Sequence, residues 1–458
     1  MNYADVAVFR RDSLFQKTRA SGSGGMLLPV IDTCDIAVIG AGAAGLAAGI
    51  FAGQRALELG RRPRILLLDG AANPGAKILV AGGGRCNVTH DVVRPEDFSG
   101  PRHVLRHVLG RFSEQDAIAW FESMGAKLKV EDTGKMFPVT NRAQTVLDVL
   151  LRRAKQVGCE LRASHRVQRI VQQDGEGSGG PFRIEHSEGE TMAAAVILAT
   201  GGKSLPKTGS DGAGWRIAKE LGHSVTPTYA ALAPLVLDAD ACDLPFAELS
   251  GQSLEVELIT SAGGKRLDQR TGSMLWTHFG VSGPVVMDAS RYWTIAAGEG
   301  RKPRLVCRLL PGLDFQAAEA WLMDQVERTR KRSVFSLLSR AMPDRLAKVV
   351  MAKADMHPSC LMHEMTREGR RAMLRLLTEL ELPVSDHRGW NYAEVTAGGV
   401  PLTEVDAKRM ASRVRGGLFL VGEILDCDGR IGGFNFQWAW STGHIAGIAA
   451  AESLTQNS

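Results

Sequence analysis

No CxxC pair occurs in the 458 residues, and the seven cysteines (Cys34, Cys86, Cys159, Cys242, Cys307, Cys360 and Cys427) stand singly. An odd, dispersed set argues against a disulfide framework, a thiol–disulfide redox pair and a structural zinc site, so no metal is expected. A reducing cytoplasm is the expected compartment. No apolar run is long enough for a transmembrane helix, each being short or broken by glycine and charge, so no membrane partner is expected. Arg10-Arg11 is followed by no apolar stretch, which argues against a twin-arginine signal. Residues 1–30, with a flexible joint at 21–25, read as a disordered tail. The charge balance is mild: a net +5 and a pI near 8.8 suit an anionic ligand without requiring nucleic acid.

What is present is organised around residues 35–45, Asp-Ile-Ala-Val-Ile-Gly-Ala-Gly-Ala-Ala-Gly. An apolar strand, 36–39, breaks into Gly40-x-Gly42-x-x-Gly45 and a small-residue helix, and a second apolar strand, 65–68, closes on Asp69. This is the order of a dinucleotide-binding βαβ unit. Gly40 turns the chain, Gly42 lets backbone N–H groups reach a pyrophosphate, and Gly45 lets the helix lie close to the sheet. The helix N-terminus, with Ala43 and Ala44, turns roughly half an elementary positive charge towards the phosphates. Asp69, followed by Gly70, stands near the ~20-residue spacing of an acid that binds a ribose hydroxyl. A second dinucleotide fingerprint is lacking, which argues against a dedicated nicotinamide domain.

Further on, Gly82-Gly83-Gly84 followed by Arg85-Cys86-Asn87 suits neither a helix nor a strand interior. It suits backbone passing against a flat or charged ligand, with Arg85 and Asn87 as donors. No base stands beside Cys86, which reads as a packed residue rather than a nucleophile. The strand 193–198 runs into Ala199-Thr200-Gly201-Gly202, a second mark of flavin-binding Rossmann proteins. Residues 205–315 read as β-rich, 316–390 as helical, and 391–458 as a return to the nucleotide domain. There the strand 416–421 leads to Gly422-Glu423, and Gly432-Gly433 opens a long helix. Gly433 is expected at a helix-compatible φ, its N–H facing the reduced flavin edge. The basic residues between 325 and 375 alternate with acids and apolar residues at helical spacing, so they read as a solvated helix face. His278, between Trp276 and Phe279, is the candidate catalytic acid or base, against a structural histidine bonded within the insert core.

Together these residues resemble the HI0933-like (YhiN-like) family of FAD-dependent oxidoreductases. The resemblance is carried by Gly40-Ala-Gly-Ala-Ala-Gly45-Leu46, Gly82-Gly-Gly-Arg-Cys-Asn-Val-Thr89, Phe137-Pro138, Ala199-Thr-Gly-Gly202 and Thr208-Gly-Ser210. Thr277-His-Phe-Gly-Val-Ser-Gly-Pro284 and the stretch from Gly422-Glu423 to Ser441 complete it. It implies an α/β fold whose Rossmann-type FAD domain comes in two segments, 31–204 and 391–458, around an insert, 205–390, with a β-barrel-like part and a helical part. It also implies FAD contacts at Gly40, Gly42, Gly45, Asp69, Lys77, Gly83, Gly84, Arg85, Cys86, Asn87, Val167, Ala199, Thr200 and Gly201, and then at Gly422, Glu423, Gly433, Phe434 and Asn435. Where the family more often has Glu and Ser, this chain has Asp69 and Ala81. The expected activity is hydride transfer between NAD(P)H or a small organic substrate and FAD, with NAD(P)H as a transient donor and no nucleic-acid partner. The alternatives are an FAD-dependent tRNA-modifying enzyme, an oxidase of a small amino ketone using molecular oxygen, and an FAD-holding sensor. Oligomeric state has no signature in the sequence.

Overall fold

The structure, a computed structural model, describes residues 32–174, 180–329 and 331–454. The expected tail, residues 1–30, lies outside the described residues. Strand β1 (Asp32–Ile39) ends in four buried residues and leads through Gly40 into helix α1 (Ala43–Glu58). Strand β2 (Ile65–Leu68) is buried throughout, as a central parallel strand must be when both faces are covered. β1 pairs in parallel with β2 on one side and with Gly189–Leu198 on the other. Leu418–Leu420 extends the sheet beyond Gly189–Leu198, and Cys159–Arg162 extends it beyond β2, again in parallel. The strand returning from the far end of the chain therefore completes the sheet begun at residue 32. The first core also takes in Trp215, Ile217, Ala218 and Leu221, which lie past residue 204.

A second core is built on a seven-stranded antiparallel sheet. Its order is Leu380–Leu382, Arg304–Arg308, Ser253–Ala262, Lys265–Thr277, Gly280–Ser282, Leu235–Leu237, Val384–His387. The two edge strands are halves of one segment joined at Pro383, so the sheet curls until its edges meet there, which makes it barrel-like. Helices Phe315–Arg328, Val334–Leu338, Asp344–Lys353 and Arg367–Thr378 pack on it. The stretch expected to be β-rich also holds two helices, Ala213–Glu220 and Pro284–Gly298. The second has Pro284 in its first turn, a favoured helix-start position, and buries nine residues, among them Val285, Val286, Ala289 and Trp293.

The helix Phe434–Ser453 lies against α1 at a distance only glycine permits. A β-carbon on Gly443 would stand 2.8 Å from the Ala44 carbonyl oxygen, and one on Gly447 would stand 2.3 Å from that of Ala48. Close backbone approach replaces side-chain interdigitation here, so added volume has nowhere to go. Gly447→Ala is expected to destabilise the protein by about 1–3 kcal/mol. Gly110→Ala, on a helix where nothing lies within 4 Å of the new carbon, should be neutral or mildly stabilising. Thermal melts of both variants check this; equal shifts would refute the packing argument.

Candidate active site

Four parallel strands end side by side at Ile39, Leu68, Leu198 and Leu420, and the chain beyond each turns into the wall of one cavity of about 1280 Å³. Ligands of open parallel sheets bind at such carboxyl ends. At the first turn Gly40 has φ +100°, and a β-carbon there would meet the Ala199 carbonyl oxygen at 2.5 Å. A β-carbon on Gly45 would stand 1.9 Å from the Gly40 carbonyl oxygen, whereas Gly42 has nothing within 4 Å and faces open space. Asp69 fixes this turn: Ala41 N–H donates to Oδ2 (2.7 Å) and Ala71 N–H to Oδ1 (2.8 Å). A carboxylate oxygen accepts two bonds, so each still has a lone pair for a ligand hydroxyl.

The facing wall comes from the triple-glycine loop and the last helix. Residues 76–80 are helical; the helix then breaks, with Ala81 extended (ψ 145°) and Gly82 and Gly83 left-handed (φ 57° and 69°). The loop is held by the final helix. Trp440 Nε1 donates to Val88 O (2.8 Å), Thr89 Oγ1 to Gln437 Oε1 (2.7 Å), and Gln437 Nε2 to Phe112 O (2.9 Å). The same helix anchors the strand end opposite, with Trp438 Nε1 donating to Gly422 O (3.2 Å) and Gly422 N–H to Thr442 Oγ1 (3.0 Å). Gly433 caps this helix at φ +96°, and a β-carbon would stand 2.5 Å from Thr89 O. The expected helix-compatible φ is wrong: the residue is outside the helix, and the cap leaves no room for a side chain.

Of the residues singled out in the sequence, Gly40, Gly42, Ala43, Ala44, Asp69, Gly70, Lys77, Gly83, Arg85, Asn87, Val167, Ala199, Thr200, Gly201, Gly422, Glu423, Gly433 and Asn435 line the cavity. Gly45 packs behind the turn, and Gly84 is off the wall. Cys86 is sealed in the core, where burial pushes its thiol pKa up, and Phe434 stacks on His90 at 4.8 Å. Lys77 Nζ donates to Glu423 Oε2 and to Ser204 Oγ, each at 2.6 Å, making a cross-brace between the two walls. His278 is exposed on the turn between Lys265–Thr277 and Gly280–Ser282 and does not line the cavity. Its neighbour Phe279 stacks on Arg388, which in turn covers the ring of Tyr392 on the cavity wall.

Sequence reasoning missed the far end of the cavity, which Leu205, Leu232, Tyr392, Glu394 and Ile431 help to line. Two strands that link the cores, Tyr229–Ala231 and Val395–Ala397, pair there as a ribbon, and Glu394 N–H donates to Leu232 O (3.1 Å). Leu205 and Leu232 are left-handed (φ 52° and 51°), a strain of ~1–2 kcal/mol each of the kind that concentrates at functional sites. Helix Pro284–Gly298 braces the ribbon and the glycine loop together. Ser290 Oγ accepts from Ala233 N–H (3.0 Å), Asp288 Oδ1 from Ile431 N–H (2.8 Å), and Arg291 Nη2 donates to Asp428 Oδ1 (3.0 Å). The Glu394 carboxyl faces the cavity with no hydrogen-bond or ion-pair partner among the described residues. Desolvation raises its pKa above the ordinary glutamate value, against the pull of Lys77 and Lys135 and with a smaller push from Asp288. The available signal was Thr396-Ala-Gly398-Gly399, a strand ending in paired glycines much as Thr200-Gly201-Gly202 does.

These residues fit FAD. Thr200 Oγ1 and Asn87 Oδ1, both on cavity-lining residues, are buried without a partner, and the N-termini of α1 and the final helix carry no side-chain cap. Gly42, Gly83 and Gly209 leave space where side chains would intrude. Asp69→Ala removes a charged acceptor contributing on the order of 1.5–3 kcal/mol, so FAD binding should weaken roughly ten- to a hundredfold. Titration of apo-protein with FAD checks it; unchanged affinity would take Asp69 out of the site.

Comparison with known proteins agrees with this geometry. The family model described as the HI0933-like protein Rossmann domain matches residues 34–449. A 3-dehydro-bile acid delta(4,6)-reductase of Clostridium scindens is 29% identical over 418 residues, covering 91% of this chain and 99% of the relative. A ribosomal RNA dihydrouridine synthase of Escherichia coli is 31% identical over 409 residues, covering 89% of this chain and 96% of the relative. The protein of that name from Haemophilus influenzae is 28% identical over 415 residues, covering 90% and 97%. The chain belongs to the HI0933-like family of FAD-dependent oxidoreductases.

Proposed function

We propose that the chain reduces a carbon–carbon double bond conjugated to a carbonyl group, using electrons drawn from NAD(P)H. One observation carries this reading: a single cavity runs from the dinucleotide cradle to an end walled by Leu205, Leu232, Tyr392 and Ile431, with the unpartnered carboxyl of Glu394 facing into it. Bound FAD supplies hydride-transfer chemistry. Gly40, Gly42, Asp69 and the α1 N-terminus would hold its nucleotide half. Gly433, Asn435 and the start of the final helix would face the flavin with uncapped N–H groups, stabilising negative charge there. The relatives' names point the same way. A 3-dehydro steroid with a delta-4 bond and the ring of uridine both present an alkene conjugated to a carbonyl, and both names describe its saturation.

A second reading concerns what presents the alkene. Two relatives are named for ribosomal RNA, so the expectation of no nucleic-acid partner is not carried forward. Tyr392 on the cavity wall is covered by Arg388 at 3.8 Å, and Lys203 lies over Trp390 at 4.9 Å, close in sequence to the lining residues Leu205 and Asn391. Such pairs suit stacked bases and phosphates. A uracil ring in a single-stranded RNA segment is therefore the second substrate class, beside a small unsaturated ketone.

The purified protein should be yellow and release FAD rather than FMN. Anaerobic reduction with NADH and NADPH separately should bleach it. Mixing the reduced protein with 4-androstene-3,17-dione or with a uridine-containing ribosomal RNA fragment should restore the oxidised spectrum and add two mass units to the alkene. Reoxidation by oxygen alone would reject the reading in favour of an oxidase.

A further inference from the structure

We propose that Glu394 is the catalytic acid of this site, the group that gives a proton to the substrate alkene as hydride arrives at its other carbon. The inference rests on the reductase reading above and adds to it the source of the proton.

Three observations carry it. First, Glu394 belongs to the cavity wall, and its main chain is fixed from both sides: its N–H donates to Leu232 O (3.1 Å), and its carbonyl accepts from Ser204 Oγ (3.2 Å). The ribbon beginning at Val395 and the helix Pro284–Gly298 behind it hold that position, so the side chain stands on a rigid support. Second, the carboxyl is unspent. The neighbouring acid, Glu423, is fully engaged, with Lys77 on Oε2 (2.6 Å) and Ser204 Oγ and Thr396 N–H on Oε1 (both 2.8 Å). Glu394 has none of these. The two acids of this wall therefore differ in role: Glu423, bonded on both oxygens, is structural, and Glu394, bonded on neither, is free to carry a proton. Third, desolvation raises the Glu394 pKa, the direction a general acid near neutral pH requires. His278, the acid expected from the sequence, does not line the cavity.

The alkene carbon remote from the carbonyl would take the hydride that reduced FAD, when bound, supplies and is oxidised in supplying. The carbon next to the carbonyl takes the proton from the Glu394 carboxyl. The π bond is consumed, two C–H bonds form, and Glu394 is left as a carboxylate that water reprotonates through the open cavity. Lys135, whose charge acts on Glu394, also lines the cavity and would favour developing negative charge on the carbonyl oxygen.

The test compares wild type with Glu394→Gln, which keeps size and polarity but cannot deliver a proton. FAD content and the rate of anaerobic reduction by NAD(P)H should stay within about twofold, and the melting temperature should not fall. Reoxidation of the reduced protein by 4-androstene-3,17-dione or by the ribosomal RNA fragment should fall roughly 10²–10⁴-fold. Independently of turnover, an infrared pH titration of the FAD-loaded protein should show a protonated-carboxyl band that persists above the ordinary glutamate range and that Glu394→Gln lacks. Wild-type reoxidation by Glu394→Gln, or a titration without that band, would overturn the assignment. If neither probe reoxidises wild type, the reductase reading itself fails, and the infrared band alone then decides whether Glu394 holds a proton.

Discussion

A β-carbon on Gly447 would stand 2.3 Å from the carbonyl oxygen of Ala48, and the cofactor half of the molecule depends on that approach. The helix N-terminus at Ala43 and the one at Phe434 open into the same cavity because their backbones run in contact. Each aims unsatisfied N–H groups at the ligand region, and their spacing is set by glycine and alanine rather than by larger side chains. The indole and amide groups of Gln437, Trp438 and Trp440 then carry that placement outwards to the loops at 87–90, 112 and 422. Buried polar side chains with every contact directed at main chain or at one another fix one arrangement, since losing any partner leaves an unpaired group in the core.

The insert is joined to this framework by more than its two chain crossings. Helix Pro284–Gly298 reaches across with Arg291 on the fully buried Asp428, and with Asp288 on Ile431 N–H and Arg270. Breaking a buried ion pair of this kind costs about 3–5 kcal/mol. The glycine loop that precedes the final helix is thus clamped from the insert side. The crossing strands supply Leu232 and the support beneath Glu394, so the second core shapes the substrate end of the cavity while the first shapes the nucleotide end.

The Rossmann half was legible because its signals are local. A buried strand reads as an unbroken apolar run, a tight turn needs glycine, and the acid at the second strand end follows at fixed spacing. The small-residue pattern of residues 434–453 likewise marks a helix buried on all sides. Other features depend on partners distant in sequence. Gly433 looks like a helix-start residue, and only contact with Thr89 shows that it needs φ +96°. Pro284–Gly298 reads ambiguously because valine, isoleucine and tryptophan suit strands as well as helices, and its burial against the sheet decides. Glu394 itself belongs to no motif, although the strand and paired glycines that follow it mark the neighbourhood. It is singled out by what surrounds Glu423 and does not surround it. The same limit applies to His278, whose aromatic neighbours suggested a pocket: Trp276 is buried in the insert core, and Phe279 stacks with Arg388.

The helix carrying Gly447 has a consequence for biogenesis. It is made long after α1, yet it covers α1. At about 5–20 residues per second, roughly 20–80 s separate the synthesis of β1 from that of its final cover. Through that interval the apolar face of α1 is bare, the triple-glycine loop has no anchor, and the cradle for the nucleotide is half built. The insert must also wait for Val384–His387 before its sheet can close. The cradle is therefore complete only once the helix Phe434–Ser453 has been made, and a translational stall before residue 434 leaves the apolar face of α1 open to chaperones and proteases.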